Sequence, residues 1–345
     1  MASIKEEYQQ ILLNDKHLWD YYGTSIEATK RNLLFDIFDY DPYYRFIDNI
    51  LRKGKKNDTS KELLSPLPVN RLQHTVSCFL LGIIIYNSFD TLQKSIDKQI
   101  SKIRKNELNE ENNKRFLYLW MLACLFHDLG YTIEERIINY DYSEARKELN
   151  KINTKPLNHI KIFSKRLIQN YLQYRLEIFH FIDHGIVGCT LLYKKMCSLR
   201  ESMEKIYGRQ NEGLYWGKEI ENDFLLASWI IASHNIFKIG TNDESVPLYK
   251  HYNLDELIKD GKLFTKDDHP LLFLLCLVDS IEPIKLLKDI GLLEKIDLSF
   301  CKTGITISAA QIGDIQRCKY LGKLLSLNNW LTDVKITDTS ASITL

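Results

Sequence analysis

The chain has 345 residues, 45% hydrophobic and 26% charged, the balance expected of a soluble globular protein with a large core and no need of disulfide staples. Its 46 basic and 45 acidic side chains nearly cancel, which argues against nucleic acid or a membrane surface as the main partner. Seven cysteines without a C-x-x-C pair, most inside apolar runs, exclude a zinc-ribbon or disulfide framework and point to buried reduced thiols in a cytoplasmic protein.

The opening MASIKEEYQQ has no apolar h-region, so no signal peptide is expected. No apolar run reaches the roughly 18 residues of a membrane span. Length suggests about two domains. Residues 1–66 read as an N-terminal helical extension broken by NDK, YYGTS and YDPYY. From 67 to 293 apolar residues recur at three- and four-residue steps, the pattern of a helical core. Pro68 marks a start, and VNRLQHTVSCFLLGIIIYNSF after it reads as a buried helix. Within that core, residues 97–115 carry ten charged side chains and read as a solvated helix-and-loop insertion. From 294 to 345 the character changes. KIDLSF and GITIS alternate around a turn-like CKTG, AAQIGDIQRCKYLGKLLSL has helical spacing, and VKIT and SITL alternate again. The expected class is mainly α, with a small β-hairpin, helix, β-hairpin appendage that could mediate a homo-oligomer.

Eleven consecutive apolar or aromatic residues, Phe116 to Phe126, run directly into His127 and Asp128. A buried unpaired charge costs several kcal/mol, so this pair calls for a partner. Four more metal-capable side chains end or interrupt apolar segments: His74, His184, His234 and Asp279. Phe116, Trp120, Ala123 and His127 share one helical stripe, as do Ala227, Ile230, Ile231 and His234, and Leu272, Leu275, Cys276 and Asp279. The six side chains are expected to converge on one interior and to ligate metal. Adjacent helical residues project about 100° apart, so Asp128 is expected to bridge two ions rather than to face one point with His127. His180 competes with His184, four residues away on the same face. His159, His251 and His269 read as surface residues.

The order His, His-Asp, Asp, carried by RLQHT (His74), LFHDLG (His127, Asp128) and LVDSIE (Asp279), resembles the HD-domain superfamily of metal-dependent phosphohydrolases. The histidines in DHGIVG and ASHN are similar to those of its six-ligand, two-metal members, and the likeness covers residues 67 to 285. It implies an HD-domain helical bundle. It also implies one ion on His74, His127, Asp128 and Asp279, and a second on Asp128, His184 and His234. Tyr131 follows HDLG where the cyclic-di-GMP phosphodiesterase and inositol-oxygenase branches carry lysine, which counts against both. The 53-residue step from His74 to His127 is longer than in compact members.

The expected activity is hydrolysis of a phosphoester, a nucleotide or cyclic nucleotide by family likeness. Two divalent transition metal ions (Mn, Fe, Co, Ni or Zn) would activate a water there. Asp128 is the central catalytic candidate. Arg71, Lys161 and Lys165 are candidate phosphate cations, and Asp183 could orient a ligand or position a proton. Two alternatives stand beside this reading: a di-iron oxygenase on the same ligands, and a ligand-sensing or interaction module with a structural metal site. Nothing in the pattern suggests a P-loop, a Rossmann glycine motif or a side-chain nucleophile.

Overall fold

The structure, a computed structural model, describes residues 3–14, 69–103, 112–131, 164–180, 182–211, 214–215, 217–236, 238–239, 246–259, 265–283, 295–308, 330–331, 333–337 and 339–345. It is mostly helical with a small four-stranded antiparallel sheet. The helices are α1 (Ile4–Asn14), α2 (Val69–Ser88), α3 (Asp90–Ile103), α4 (Asn112–His127), α5 (Lys165–Phe179), α6 (His184–Tyr207), α7 (Glu221–Ser233), α8 (Val246–His251) and α9 (Pro270–Ile281). Two minimal two-stranded pairs, Gln210–Asn211 (β1) with Leu214–Tyr215 (β2) and Lys238–Ile239 (β3) with Ile258–Lys259 (β4), lie in the connections. No single described helix is long and apolar enough to cross a membrane.

Helix α4 is the axis of the bundle. Every residue from 116 to 130 is buried, so its apolar residues face neighbours on all sides rather than along a stripe. Trp120 donates its indole N–H to the Phe79 carbonyl at 2.9 Å, tying α4 to α2. The same holds for α7, buried from Asp223 through Ser233, and for α9, buried throughout except at Asp279. The expected apolar stripes are therefore parts of fully enclosed helices. The half-buried position on α9 is its single carboxylate.

Glycine sets the spacing around α4. A Cβ at Gly188 on α6 would lie 2.4 Å from the Phe126 carbonyl oxygen, and one at Gly130 would lie 1.9 Å from the His184 carbonyl oxygen. Both contacts are backbone atoms, which cannot swing aside as a flexible side chain could. The end of α4 and the start of α6 touch backbone to backbone for this reason.

Residues 97–103 differ from the expected solvated insertion. They continue α3, whose Ile96 and Ile100 are fully buried one turn apart while the lysines face outward. The Tyr86 hydroxyl donates to Asp97 at 2.7 Å. The abundance of charge concealed an amphipathic helix. Residues 112–115 belong to α4, and 104–111 lie outside the described residues.

The C-terminal strands are β5 (Asp297–Cys301), β6 (Gly304–Ser308), β7 (Asp333–Ile336) and β8 (Ser340–Thr344). Both expected hairpins form, and β6 pairs with β8 to join them in the order β5-β6-β8-β7. Leu298, Ile307 and Ala341 align across the sheet, as do Ile305 and Ile343, giving one apolar face at the two-residue period of a strand. The expected intervening helix, 309–329, lies outside the described residues, as do residues 15–66 of the expected N-terminal extension. Helix α1 touches both units: Ile4 N–H donates to the Ile296 carbonyl at 2.9 Å, and the Tyr8 and Ser77 hydroxyls are hydrogen-bonded at 2.8 Å.

Substituting Gly188→Ala drives a methyl into the backbone of α4 and should cost about 1–3 kcal/mol, the scale of an overpacked core. A lower urea midpoint at unchanged slope is expected; an unchanged midpoint would show that α6 has slack against α4.

Candidate metal centre

The six predicted ligands come together from five helices. His74 sits one turn into α2, His127 is the last residue of α4 and Asp128 follows it. His184 opens α6, His234 caps the C-terminal end of α7, and Asp279 lies in the last turn of α9. Asp128 is no longer helical: residues 128–130 form a turn in which Tyr131 N–H returns to the Asp128 carbonyl at 3.1 Å. The helical 100° offset therefore does not constrain this pair, and the turn aims both side chains inward.

Two of the spacings at His74 are those of donors that could share one ion. His74 Nε2 lies 3.3 Å from His127 Nε2 and 3.1 Å from Asp279 Oδ1, and His127 Nε2 lies 3.7 Å from Asp279 Oδ1. Two donors on one ion at about 2.1 Å stand about 3.0 to 3.4 Å apart in octahedral or tetrahedral geometry. Asp128 stands between two groups. Its Oδ2 faces His74 at 3.7 Å and Arg71 at 2.9 Å, while its Oδ1 faces His127 at 3.4 Å and His184 at 4.0 Å. His234 closes the second side, its ring centroid 5.3 Å from that of His184 and 5.7 Å from that of His127.

The tautomers follow from the outer partners. Carbonyl oxygens only accept, so His127 donates Nδ1–H to Cys124 O at 2.7 Å and His234 donates Nδ1–H to Ile231 O at 2.5 Å. His74 Nδ1 meets the buried Glu282 carboxylate at 2.5 Å. In the neutral rings each Nε2 is then a lone pair, as a metal ligand requires. Burial, reinforced by His184 and His127, pushes His234 down to about 4 against the pull of Asp279, so its ring is neutral at neutral pH. Among the described residues, three carboxylates meet here: Asp279 and Glu282 flank the His74 ring, and Asp128 faces it while pairing with Arg71. One proton on His74 Nε2 could serve only one of its neighbours. The donor set fits a multivalent cation.

His74, Cys78 and His127 also form a buried group whose ligand atoms lie within 4.8 Å of one another, and this cluster could hold a metal ion. The Cys78 sulfur stands 3.6 Å from both nitrogens of the His74 ring. An atom equidistant from Nδ1 and Nε2 is off the lone-pair axis of either. Cys78 thus packs on the ring, and the carboxylates occupy the directions an ion would use.

Four neighbours complete the picture. Glu282, unnoticed in the sequence, orients His74 from behind. Pro283 follows it and disfavours helical geometry at Glu282, which adopts φ −63°, ψ 123° and turns back toward α2. Asn235 donates to His184 Nε2 at 2.6 Å. Tyr131 stacks on the His184 ring at 3.8 Å and 17°, and the Arg71 guanidinium carbon lies 4.0 Å over the Tyr131 ring. Asp183 is the N-cap of α6. Its Oδ1 accepts from the amides of Gly185 and Ile186 at 2.9 and 3.2 Å, and its Oδ2 accepts from the Tyr171 hydroxyl at 2.9 Å. Burial alone would raise this carboxyl, but Arg175, His184, His234 and the Tyr171 bond outweigh it and hold it below the usual range. Asp183 anchors the residue next to it and does not itself enter the ligand group.

The remaining candidates separate clearly. His180 is exposed at the left-handed C-cap of α5 (φ 61°), outside the cluster that His184 enters. His251 is exposed, and His269 is half-buried against Trp229 with ring centroids 4.9 Å apart. Lys165 begins α5, its side chain outside the description, and Lys161 and His159 lie outside the described residues. Side-chain exposure rises from 1% at His74 and Asp128 to 16% at Asp279 and 26% at Arg71, so the site opens on the Arg71 and Asp279 side. A separate cavity of about 480 Å³, lined by Ser88, Phe89, Phe273, Lys266 and Lys302, adjoins the far end of α2, about 21 Å from His74 at 1.5 Å per helical residue. Compared with protein-family profiles, curated proteins and solved structures, the chain matches none of them.

Replacing Glu282 with Gln keeps a hydrogen-bond acceptor behind His74 but removes its charge. Affinity for Mn²⁺ or Zn²⁺ should fall about 10–100-fold, the usual cost of losing a ligand's outer partner. Equilibrium dialysis checks this; unchanged affinity would place the ion away from His74.

Proposed function

We propose that the chain is an HD-type metal-dependent phosphohydrolase that cleaves a phosphoester, a nucleotide or cyclic nucleotide, at a binuclear His/Asp centre. One observation carries the reading. Six side chains that share the order and helix-end setting of that superfamily, drawn from positions 74 to 279, meet at a single buried point. His74, His127, Asp128 and Asp279 would hold one ion, and Asp128, His184 and His234 the other. Bound there, divalent ions supply Lewis acidity toward a phosphoryl oxygen and lower the pKa of water toward neutrality.

The chain's own residues supply the rest. Asp128 faces residues of both halves, its Oδ2 toward His74 and its Oδ1 toward His127 and His184, which suits a bridging carboxylate. Arg71 sits at the open side with a fork of five N–H donors, a geometry matched to phosphate oxygens, while one of its nitrogens steadies Asp128. Asp183 and Glu282 hold His184 and His74 from outside. The enclosing apolar helices bury His74, His127 and Asp128 away from the opening at Arg71 and Asp279, which strengthens the electrostatic contacts among them.

The test is a metal-defined screen of nucleotide mono-, tri- and cyclic phosphates, with Asp128→Ala as the control. Phosphoester hydrolysis requiring Mn, Fe, Co or Ni, and at least about a hundredfold weaker in the variant, is expected, since losing even an outer partner reaches that scale. Two irons per chain with an oxygen-sensitive spectrum and no phosphoester hydrolysis would turn the reading to an HD-type oxygenase. Wild type and variant inert alike with every metal would contradict catalysis at this centre.

A further inference from the structure

Tyr131 stands where related branches carry lysine, and it is neither a ligand nor a core residue. Its two ring faces are both used. The His184 imidazole lies flat against one at 3.8 Å and 17°, and the Arg71 guanidinium carbon sits 4.0 Å from the ring centroid. Two groups this close to one centroid cannot share a face, so Tyr131 is sandwiched between them. A nucleobase therefore has no face of this ring to stack on, and Tyr131 does not replace the lysine as a contact for substrate.

His184 is held in a different manner from the other three imidazoles. His74, His127 and His234 each direct Nδ1 at a protein oxygen, of Glu282, Cys124 and Ile231 respectively. His184 is held by the flat stack on Tyr131, while its Nε2, the atom that faces Asp128 Oδ1 at 4.0 Å, meets the Asn235 amide at 2.6 Å, a contact that an ion on Nε2 would replace. It is also the first residue of α6, anchored through the Asp183 cap and the backbone contact at Gly130. Tyr131 follows directly from the turn that carries Asp128, so ligand, turn and ring form one short unit.

We propose that Tyr131 is a positioning residue for the second ion: sandwiched between Arg71 and His184, it fixes the imidazole that completes the His184–His234 half of the centre. The inference rests on the two-ion reading above. Two consequences follow from the geometry. The stack on His184 needs an aromatic face, while the phenol hydroxyl acts on Arg71, so phenylalanine should still hold the imidazole. The His74–His127–Asp279 half lies outside the stack, so its ion should be insensitive to the change.

The test measures Mn²⁺ binding by equilibrium dialysis and metal analysis in the full chain, for wild type, Tyr131→Phe, Tyr131→Ala and Tyr131→Leu, with circular dichroism to verify folding. Leucine keeps most of the buried volume without a flat face, and it decides the matter should the alanine variant unfold. Wild type and Y131F are expected to take two ions per chain. Y131A and Y131L are expected to retain one at wild-type affinity and bind the second about 10–100-fold more weakly, the scale of lost outer-shell support. Two ions at wild-type affinity in folded Y131L or Y131A would overturn the role of Tyr131 and leave the two-ion centre standing. Loss of the second ion in Y131F would overturn the aromatic stack in favour of the hydroxyl. Fewer than two ions in wild type would overturn the binuclear reading, and this inference with it.

Discussion

The rest of the structure depends on one constraint: three carboxylates and several imidazole lone pairs brought together at the buried end of the central helix α4. Asp128 and Glu282 are completely buried, and His127 is fully buried beside them. Such a gathering of acceptors costs several kcal/mol per charge unless a cation shares the space. Arg71 contributes one positive charge at the margin. The geometry at the centre, with nitrogen and oxygen donors 3.1 to 3.7 Å apart, is suited to a metal ion.

Much of the bundle exists to bring those donors together. Glycines at 130 and 188 let α4 and α6 approach until their backbones touch, which a side chain at either position would prevent. Asp183 spends its carboxylate on the first amides of α6 and on Tyr171, fixing the helix end that carries His184. Pro283 ends α9 so that Glu282 can reach His74. These residues determine whether the ligands are in place before any ion arrives, which is how a binding site avoids the entropic cost of assembling itself.

The sequence made the ligands themselves legible because polar residues at the ends of long apolar helices are expensive and few. His74, His127, Asp128, His184, His234 and Asp279 stood out on that ground, and the structure brings all six to one place. Their supporting residues were only partly legible. Arg71, Tyr131 and Asp183 drew notice by position, but Glu282 and Asn235 are ordinary in composition and context, and only the tertiary approach of α2, α6, α7 and α9 reveals what each touches. The helical offset inferred between His127 and Asp128 failed because α4 stops at His127, a boundary that periodicity locates poorly. Alternation in the last fifty residues identified both hairpins, but β6–β8 pairing is a long-range contact that strand pattern does not encode. Charge counting misjudged α3, where Ile96 and Ile100 outweigh the lysines around them.

The most direct measurement is an anomalous diffraction map from crystals grown with Mn²⁺ and collected above the manganese edge. The account predicts one peak at about 2.1 Å from His74 Nε2, His127 Nε2 and Asp279 Oδ1. It predicts a second beside His184 and His234, with Asp128 between the two. A peak at Cys78, or none within reach of Asp128, would contradict it.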